Sequence, residues 1–398
     1  MVTELNRRSF GRIAAGATSA VALMARLPCT VAAQSARTLT GAGATFPAVL
    51  YSKWAAEYNK LTGVQINYQS IGSGGGIKAH QDMTADFGAT DGPMTEQQLK
   101  DAKGGPTLHV PMALGAVVPT YNLPQIGNAR LRFTDQTLPN IFLGKIKKWN
   151  DPAIAADNPG INLPNEDIVV VHRSDGSGTT YIWVDYLSNV SAEWKDKVGV
   201  ATSVNWPTGL GGRGNEGVAG EVRQNRNTLG YVELAYAIQN RLGVGVVRNK
   251  LGAWVDPNLE SVTAAAHGAL ETMPDDLRVS IVNPEGETAY PIAGFTWLLA
   301  YRQQRDFAKG RALADYMFWS ITEGQRFAGE LYYAPLPQAM LPLTFSKIQS
   351  MNSSGAPNLS PDKDLPQTAR AELRTSDTGD GTATTHYSDG TTETWRMG

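Results

Sequence analysis

Apolar and polar positions along this chain change period repeatedly. Val64–Tyr68 and Ile168–Val171 are short apolar runs bounded by polar residues and turn formers, a pattern that predicts strands. Across Ala48–Asn59 and Tyr181–Leu187 the apolar positions recur at helical spacing, which predicts helices. Strand and helix segments alternating in this way imply βαβ units and an open α/β sheet. In such sheets, ligands bind where strand ends meet helix starts. Loops that follow a strand and precede a helix are therefore the first places to search for function.

Four loops meet that criterion. Leu39-Thr40-Gly41-Ala42-Gly43-Ala44-Thr45-Phe46-Pro47 leads through small residues into an amphipathic helix. The first N–H groups of a helix lack internal partners and carry partial positive charge, so this is an anion-type position. Thr45 is suited to cap the helix and to donate its hydroxyl. Arg173-Ser174-Asp175-Gly176-Ser177-Gly178-Thr179 repeats the logic. Ser177 and Thr179 offer hydroxyls and Gly178 a backbone N–H. Arg173 offers a planar fork for two anion oxygens, which Asp175 is suited to hold in place. Ile71-Gly72-Ser73-Gly74-Gly75-Gly76-Ile77 contributes Ser73, but it lacks the Gly-Lys-Ser/Thr of a nucleotide loop. Each loop taken alone is equally compatible with an ordinary strand-to-helix turn. Two anion-type loops in one chain make coincidence the weaker explanation.

The fourth loop, Asp86-Phe87-Gly88-Ala89-Thr90-Asp91-Gly92-Pro93, puts a carboxylate where an anion is expected. Like charges repel, so Asp91, which without the other loops would read as an ordinary turn aspartate, makes sense at an anion site if the ligand brings its own proton. Phosphate near neutral pH carries one or two O–H groups and sulfate carries none. A site built to accept that proton rejects the analogue lacking it, because a buried acceptor is left unpaired.

Composition narrows the class. With 398 residues, the chain exceeds a single typical domain of about 100–200 residues, so two lobes are expected. It is 42% hydrophobic and 18% charged, ordinary for a soluble globular protein. Residues 1–33 read as a twin-arginine signal peptide: Arg7-Arg8-Ser9-Phe10, an apolar run from Ile13 to Ala25, then Val31-Ala32-Ala33 as a cleavage site. Cys29, the single cysteine, follows Pro28 where lipidation wants a small residue, and cleavage after Ala33 removes it. Residues 1–33 carry four arginines and one glutamate, so their removal takes the net charge from −2 to −5. No basic stripe appears, which argues against nucleic acid. Asn205–Gly217 reads as one long glycine-rich loop. Residues 360–398 form a threonine-rich appendage in which Thr382–Tyr387 and Thr391–Trp395 alternate around Ser388-Asp389-Gly390, a hairpin signal.

Enzyme signatures are poor. His80, His109, His172, His267 and His386 show no metal-ligand spacing, and Ser177 lacks the hydrolase Gly-x-Ser-x-Gly setting. No catalytic residue, metal or cofactor is expected.

Together these loops resemble the phosphate-binding subunit of the Pst-type phosphate importer. Leu143–Pro152, Asn205-Trp206-Pro207 with Gly209–Gly212, and Gly230-Tyr231-Val232-Glu233 are also similar to stretches of that family. The resemblance spans roughly residues 38–355. It implies an α/β periplasmic-binding-protein fold of type II: two lobes joined by crossover strands and closing on the ligand as a hinged clamp. By analogy, residues 38–114 and 289–355 form lobe 1 and residues 115–288 form lobe 2. The resemblance also implies that Ala44 and Phe46 offer backbone N–H groups and that Thr45 adds its hydroxyl. Ser73 donates, Asp91 accepts the ligand proton, and Arg173, positioned by Asp175, pairs with the anion. Ser177, Gly178 and Thr179 complete the cradle. Gly74 and His172 depart from the family, where Ser and Arg are common. The implied partners are inorganic phosphate and the permease subunits of an ABC importer with its cytoplasmic ATPase, for a monomeric protein in the periplasm. A secreted phosphate sensor or surface protein, or a phosphatase, are the alternatives.

Overall fold

The computed structural model describes residues 38–270 and 272–353, with the backbone of 376–377, 382–386 and 392–396. The signal peptide expected over 1–33, with Cys29, lies outside the described residues, as does the rest of the appendage. Along the chain run β1 (Thr38–Gly43), α1 (Ala48–Thr62), β2 (Gln65–Ser70), α2 (Ser73–Gln81), β3 (Phe87–Thr90), α3 (Glu96–Lys100) and β4 (Thr107–Asn122). Next come β5 (Arg132–Phe133), α4 (Thr137–Phe142), α5 (Pro152–Asp157), β6 (Val169–Arg173), α6 (Gly178–Val190), α7 (Ala192–Lys197), β7 (Leu210–Gly212) and α8 (Gly214–Gln224). They are followed by β8 (Thr228–Glu233), α9 (Leu234–Gln239), β9 (Gly243–Val244), β10 (Val246–Arg248), β11 (Trp254–Val255) and α10 (Leu259–Leu270). The core closes with β12 (Ala293–Tyr301), β13 (Gln303–Gln304), α11 (Phe307–Ile321), α12 (Leu341–Gln349) and β14 (Asn352–Ser353).

One mixed sheet organises the molecule, in the order β2-β1-β3-β12-β4-β8-β6-β7, with β9 also on β4. β1 pairs in parallel with β2 and β3, and β6 pairs in parallel with β7 and β8. Between these parallel sections stand β12 and β4, both antiparallel to their neighbours. β4 serves both sections. Thr107–Ala116 pairs with β12, and Val117–Asn122 pairs with β8.

Local chemistry explains the elements. In α1 the buried positions Leu50, Tyr51, Trp54 and Tyr58 share one face, and Gly63 ends the helix in the left-handed region, its N–H returning to Asn59 O. Trp54 is fully buried and donates its indole N–H to Gly324 O at 2.6 Å. On the other section, Trp183 stacks on Tyr231 at 5.0 Å, and Trp206 stacks on His172 at 4.8 Å. Burying such side chains contributes about 1.5–3 kcal/mol each.

The structure departs from the sequence reading at three places. α2 starts at Ser73, so the Ser73–Gly76 run is helical rather than a free turn. Glycine is a poor helix former, and packing overrides that preference. A Cβ on Gly76 would run into Ala89 O and Gly43 Cα, so only glycine lets α2 lie directly on β1 and β3. The stretch Asn205–Gly217 is not one loop: it contains β7 and the start of α8. The strand predicted at Val64–Tyr68 runs from Gln65 to Ser70. In the appendage, the backbone of Thr382–His386 pairs antiparallel with Thr392–Arg396, as the alternation predicts.

Candidate functional site

The strand registers fix where ligand-facing loops meet. β3 ends at Thr90, opposite Trp297 of β12, which is opposite Pro111 of β4. β8 ends at Glu233, opposite Val117 of β4. The carboxyl ends of both parallel sections therefore point toward the middle of β4, where an α/β sheet forms its ligand crevice.

From the first section come the β1–α1 loop, the start of α2 and Asp91 after β3. Thr45, Phe46, Ser73 and Asp91 are all buried. The N–H groups of Thr45 and Phe46 have no acceptor among the described residues. Two expectations for this loop need correction. The Ala44 N–H is already committed to Ala89 O at 3.0 Å, because the chain is still leaving the sheet there, so it offers no free donor. Thr45 does not cap α1: the cap position is Pro47, and Thr45 Oγ1 instead accepts from Asn215.

Asp91 is the electrostatic centre. Its Oδ1 accepts from Thr296 Oγ1 at 2.8 Å and its Oδ2 from Ser73 Oγ at 3.3 Å. Burial pushes its carboxyl up to about 7, against the lowering effects of the Thr296 bond, the Arg173 charge and the Ser73 bond. Thr296 reaches Asp91 from a β-bulge. Between Thr296 and Trp297 the register on β4 skips Met112, next to Pro111, which has no N–H for a ladder bond.

The second section supplies the cation. Arg173 ends β6 with its side chain about 1% exposed. Its Nε and Nη2 grip Asp175 Oδ1 and Oδ2 at 2.8 and 2.6 Å, a bidentate pair. Burial works upward on Asp175, but the Arg173 bonds and charge and the Gly214 N–H hold it below the usual carboxylate range. The fork is thereby fixed with Nη1 directed at Thr179 Oγ1, 3.4 Å away. Ser177 caps α6 by accepting from Thr180 N at 3.0 Å. Gly178 and Thr179 open α6, so their N–H groups have no intrahelical partner. Below lies an aromatic floor, where Tyr231 Oη accepts from Arg173 N at 3.2 Å and pairs with Thr180 Oγ1 at 2.7 Å.

The two sections touch at these loops. Gly74 N donates to Gly176 O at 2.8 Å. A Cβ on Gly178 would lie 2.5 Å from Asp91 Oδ2 and 2.6 Å from its backbone N. Asn215, at the start of α8, donates from Nδ2 to Thr45 Oγ1 at 2.9 Å and to Thr179 Oγ1 at 3.0 Å. Neither Asn215 nor Thr296 stands in a sequence motif. The only hint of Asn215 is its place in the glycine-rich stretch before α8, and Thr296 carries none. A separate groove lined by Tyr121, Arg130, Arg223 and Arg241 runs at the opposite end of β4 and touches none of these residues.

The arrangement is thus a buried cradle of N–H and O–H donors and one guanidinium held by Asp175, with the carboxyl of Asp91 among the donors. Such a site, between two parallel sections of an α/β sheet, defines a small-anion-binding protein of the periplasmic-binding-protein type. A family model described as a PBP superfamily domain matches residues 30–320. The "Phosphate-binding protein PstS" of Xylella fastidiosa strain 9a5c is 50% identical over 299 residues, covering 75% of this chain and 81% of that protein. Its namesake from Pasteurella multocida is 47% identical, covering 77% and 88%. By these matches the chain belongs to the PBP superfamily, in the family of the phosphate-binding proteins PstS. Among solved structures, a high affinity periplasmic phosphate-binding protein (PfluDING) bound with phosphate aligns with a TM-score of 0.61 at 21% identity, covering 78% of this chain and 92% of that one. A phosphate binding protein from Stenotrophomonas maltophilia aligns equally well at 18% identity, covering 78% and 94%. The fold is therefore the α/β periplasmic-binding-protein fold.

Proposed function

We propose that this protein binds inorganic phosphate in the periplasm and delivers it, as a monomer, to the permease subunits of an ABC importer driven by a cytoplasmic ATPase. Residues 1–33 direct export and are removed. Residues 38–114 with 289–355, and residues 115–288, act as the two lobes of a clamp. Phosphate accepts hydrogen bonds from the Thr45 and Phe46 N–H groups and from the Thr45, Ser73, Ser177 and Thr179 hydroxyls, the Ser73 hydrogen turning to it from Asp91 Oδ2. The Gly178 and Thr179 N–H groups and the Arg173 Nη1 complete its shell, with Asp175 holding Arg173. The cradle pairs no nucleophile with a base, and Asp91 only accepts a hydrogen bond from the ligand, so binding rather than turnover is its role. Ligand contacts to both lobes favour the closed state, since a ligand stabilises the conformation it binds more tightly.

One observation carries the reading: Asp91 is a carboxyl buried among anion donors, placed where it would accept a hydrogen bond from a ligand O–H. A sulfate ion offers none and meets an unpaired buried acceptor, a mismatch that a polar site rejects by up to about 10⁴-fold. Isothermal titration of the mature protein with phosphate and with sulfate tests this. Tight phosphate binding with sulfate strongly disfavoured is expected. Equal affinities, or no heat with phosphate, would overturn it.

A further inference from the structure

We infer that Asn215 is a positioning residue that fixes the Thr45 and Thr179 hydroxyls as donors toward the bound anion, without touching it. The argument rests on the phosphate reading and on counting lone pairs. A hydroxyl has one hydrogen and two acceptor sites. Thr45 Oγ1 receives the Asn215 backbone N–H at 3.2 Å and one Nδ2 hydrogen at 2.9 Å, which fills both acceptor sites. Thr179 Oγ1 receives the other Nδ2 hydrogen at 3.0 Å and Arg173 Nη1 at 3.4 Å, which fills its two. Each threonine is left with only its hydrogen to offer, and neither hydrogen has a protein acceptor among the described residues.

The direction of the Asn215 amide is itself determined. Oδ1 accepts the Glu233 N–H at 3.0 Å, so the opposite face of the amide must be the NH2 group. Asn215 and Glu233 are both fully buried, so water does not compete for these bonds. The chain of constraint runs from the end of β8, through the amide, to two hydroxyls on different loops. The result is a polarity filter. Thr45 and Thr179 can face only ligand oxygens that carry lone pairs, and the single ligand proton is directed to Asp91. Asn215 and Asp91 thereby divide the work: one enforces donors, the other supplies the acceptor.

A double-mutant cycle with phosphate titration tests this, because it isolates coupling between neighbours. Asn215→Ala is expected to weaken phosphate binding by roughly 10- to 100-fold, the worth of one charge-assisted hydrogen bond. In the Thr45→Ala/Thr179→Ala background the same change is expected to have almost no further effect, since no hydroxyls remain to orient. An equal loss in both backgrounds would mean that Asn215 only supports the fold, and would overturn the inference. Asn215→Asp keeps the size and provides a check independent of cavity formation. Its carboxylate would draw both hydroxyl hydrogens away from the anion, so it is expected to bind phosphate more weakly than Asn215→Ala. Wild-type affinity in Asn215→Asp would also refute the idea. Failure of the unsubstituted protein to bind phosphate would instead refute the functional reading, and this inference with it.

Discussion

Replacing Asp91 by Asn should change stability and selectivity in opposite senses. In the ligand-free protein, burial raises the Asp91 carboxyl from its ordinary value of about 3.9 to about 7. At 1.36 kcal/mol per pH unit, holding that carboxylate ionised in its buried place costs about 4 kcal/mol. Because the folded value is the higher one, the stability is fully present below about pH 4. It is lost as pH rises through about 7. Asparagine carries no charge and keeps one oxygen for the Thr296 hydroxyl, while its NH2 stands where Ser73 donated, so that Ser73 Oγ must accept there instead. Ligand-free Asp91→Asn should therefore be more stable than wild type at pH 8 by a few kcal/mol, with the gap closing near pH 4. Its amide now offers a donor where a ligand proton was accepted, so sulfate should bind much better relative to phosphate. Urea unfolding at pH 5 and 8, paired with titrations of both anions, reads both effects. A stability gap independent of pH would refute the burial argument. Unchanged sulfate discrimination would refute the role given to Asp91.

Two further outcomes are expected. Gly178→Ala should weaken phosphate binding roughly 5- to 150-fold with an unchanged far-ultraviolet circular dichroism spectrum, since overpacking costs about 1–3 kcal/mol and the new Cβ meets the Asp91 backbone. Wild-type affinity would show that the loops do not approach this closely. Burial lowers His80 and His109 to about 3, so the stability they permit is present above about pH 6.5 and is lost as pH falls toward 3. The stability lost between pH 7 and 4 should be smaller in a His80→Gln/His109→Gln variant than in the unsubstituted protein, read from urea midpoints; an equal loss in both would exclude this cause.

Much of the scaffold was legible because each section alternates strand and helix with clear changes of period. β6, α1 and α6 fall close to where the apolar spacing puts them. The centre was harder. β4 contains Pro111 and Pro119, neither of which can donate to a ladder, yet β4 is the longest strand described, with a bulge at Met112 beside Pro111. α2 begins on three consecutive glycines that local propensity forbids and close packing demands. The anion loops were readable because small residues, hydroxyls and an arginine fork lie together in sequence. Asn215 and Thr296 were not, because their partners lie 170 and 205 residues away. The assignment of a free N–H to Ala44 failed for a related reason: only the sheet register shows that this group is still paired to Ala89.

The two sections of the sheet share β4, and the chain returns between them through β12, which pairs with β4 from Ala293 to Tyr301. Relative motion of the sections must therefore pass through hydrogen-bonded strands rather than a slack loop. In the proposed clamp, such a joint would act as a torsion spring, twisting along the shared strands rather than unravelling.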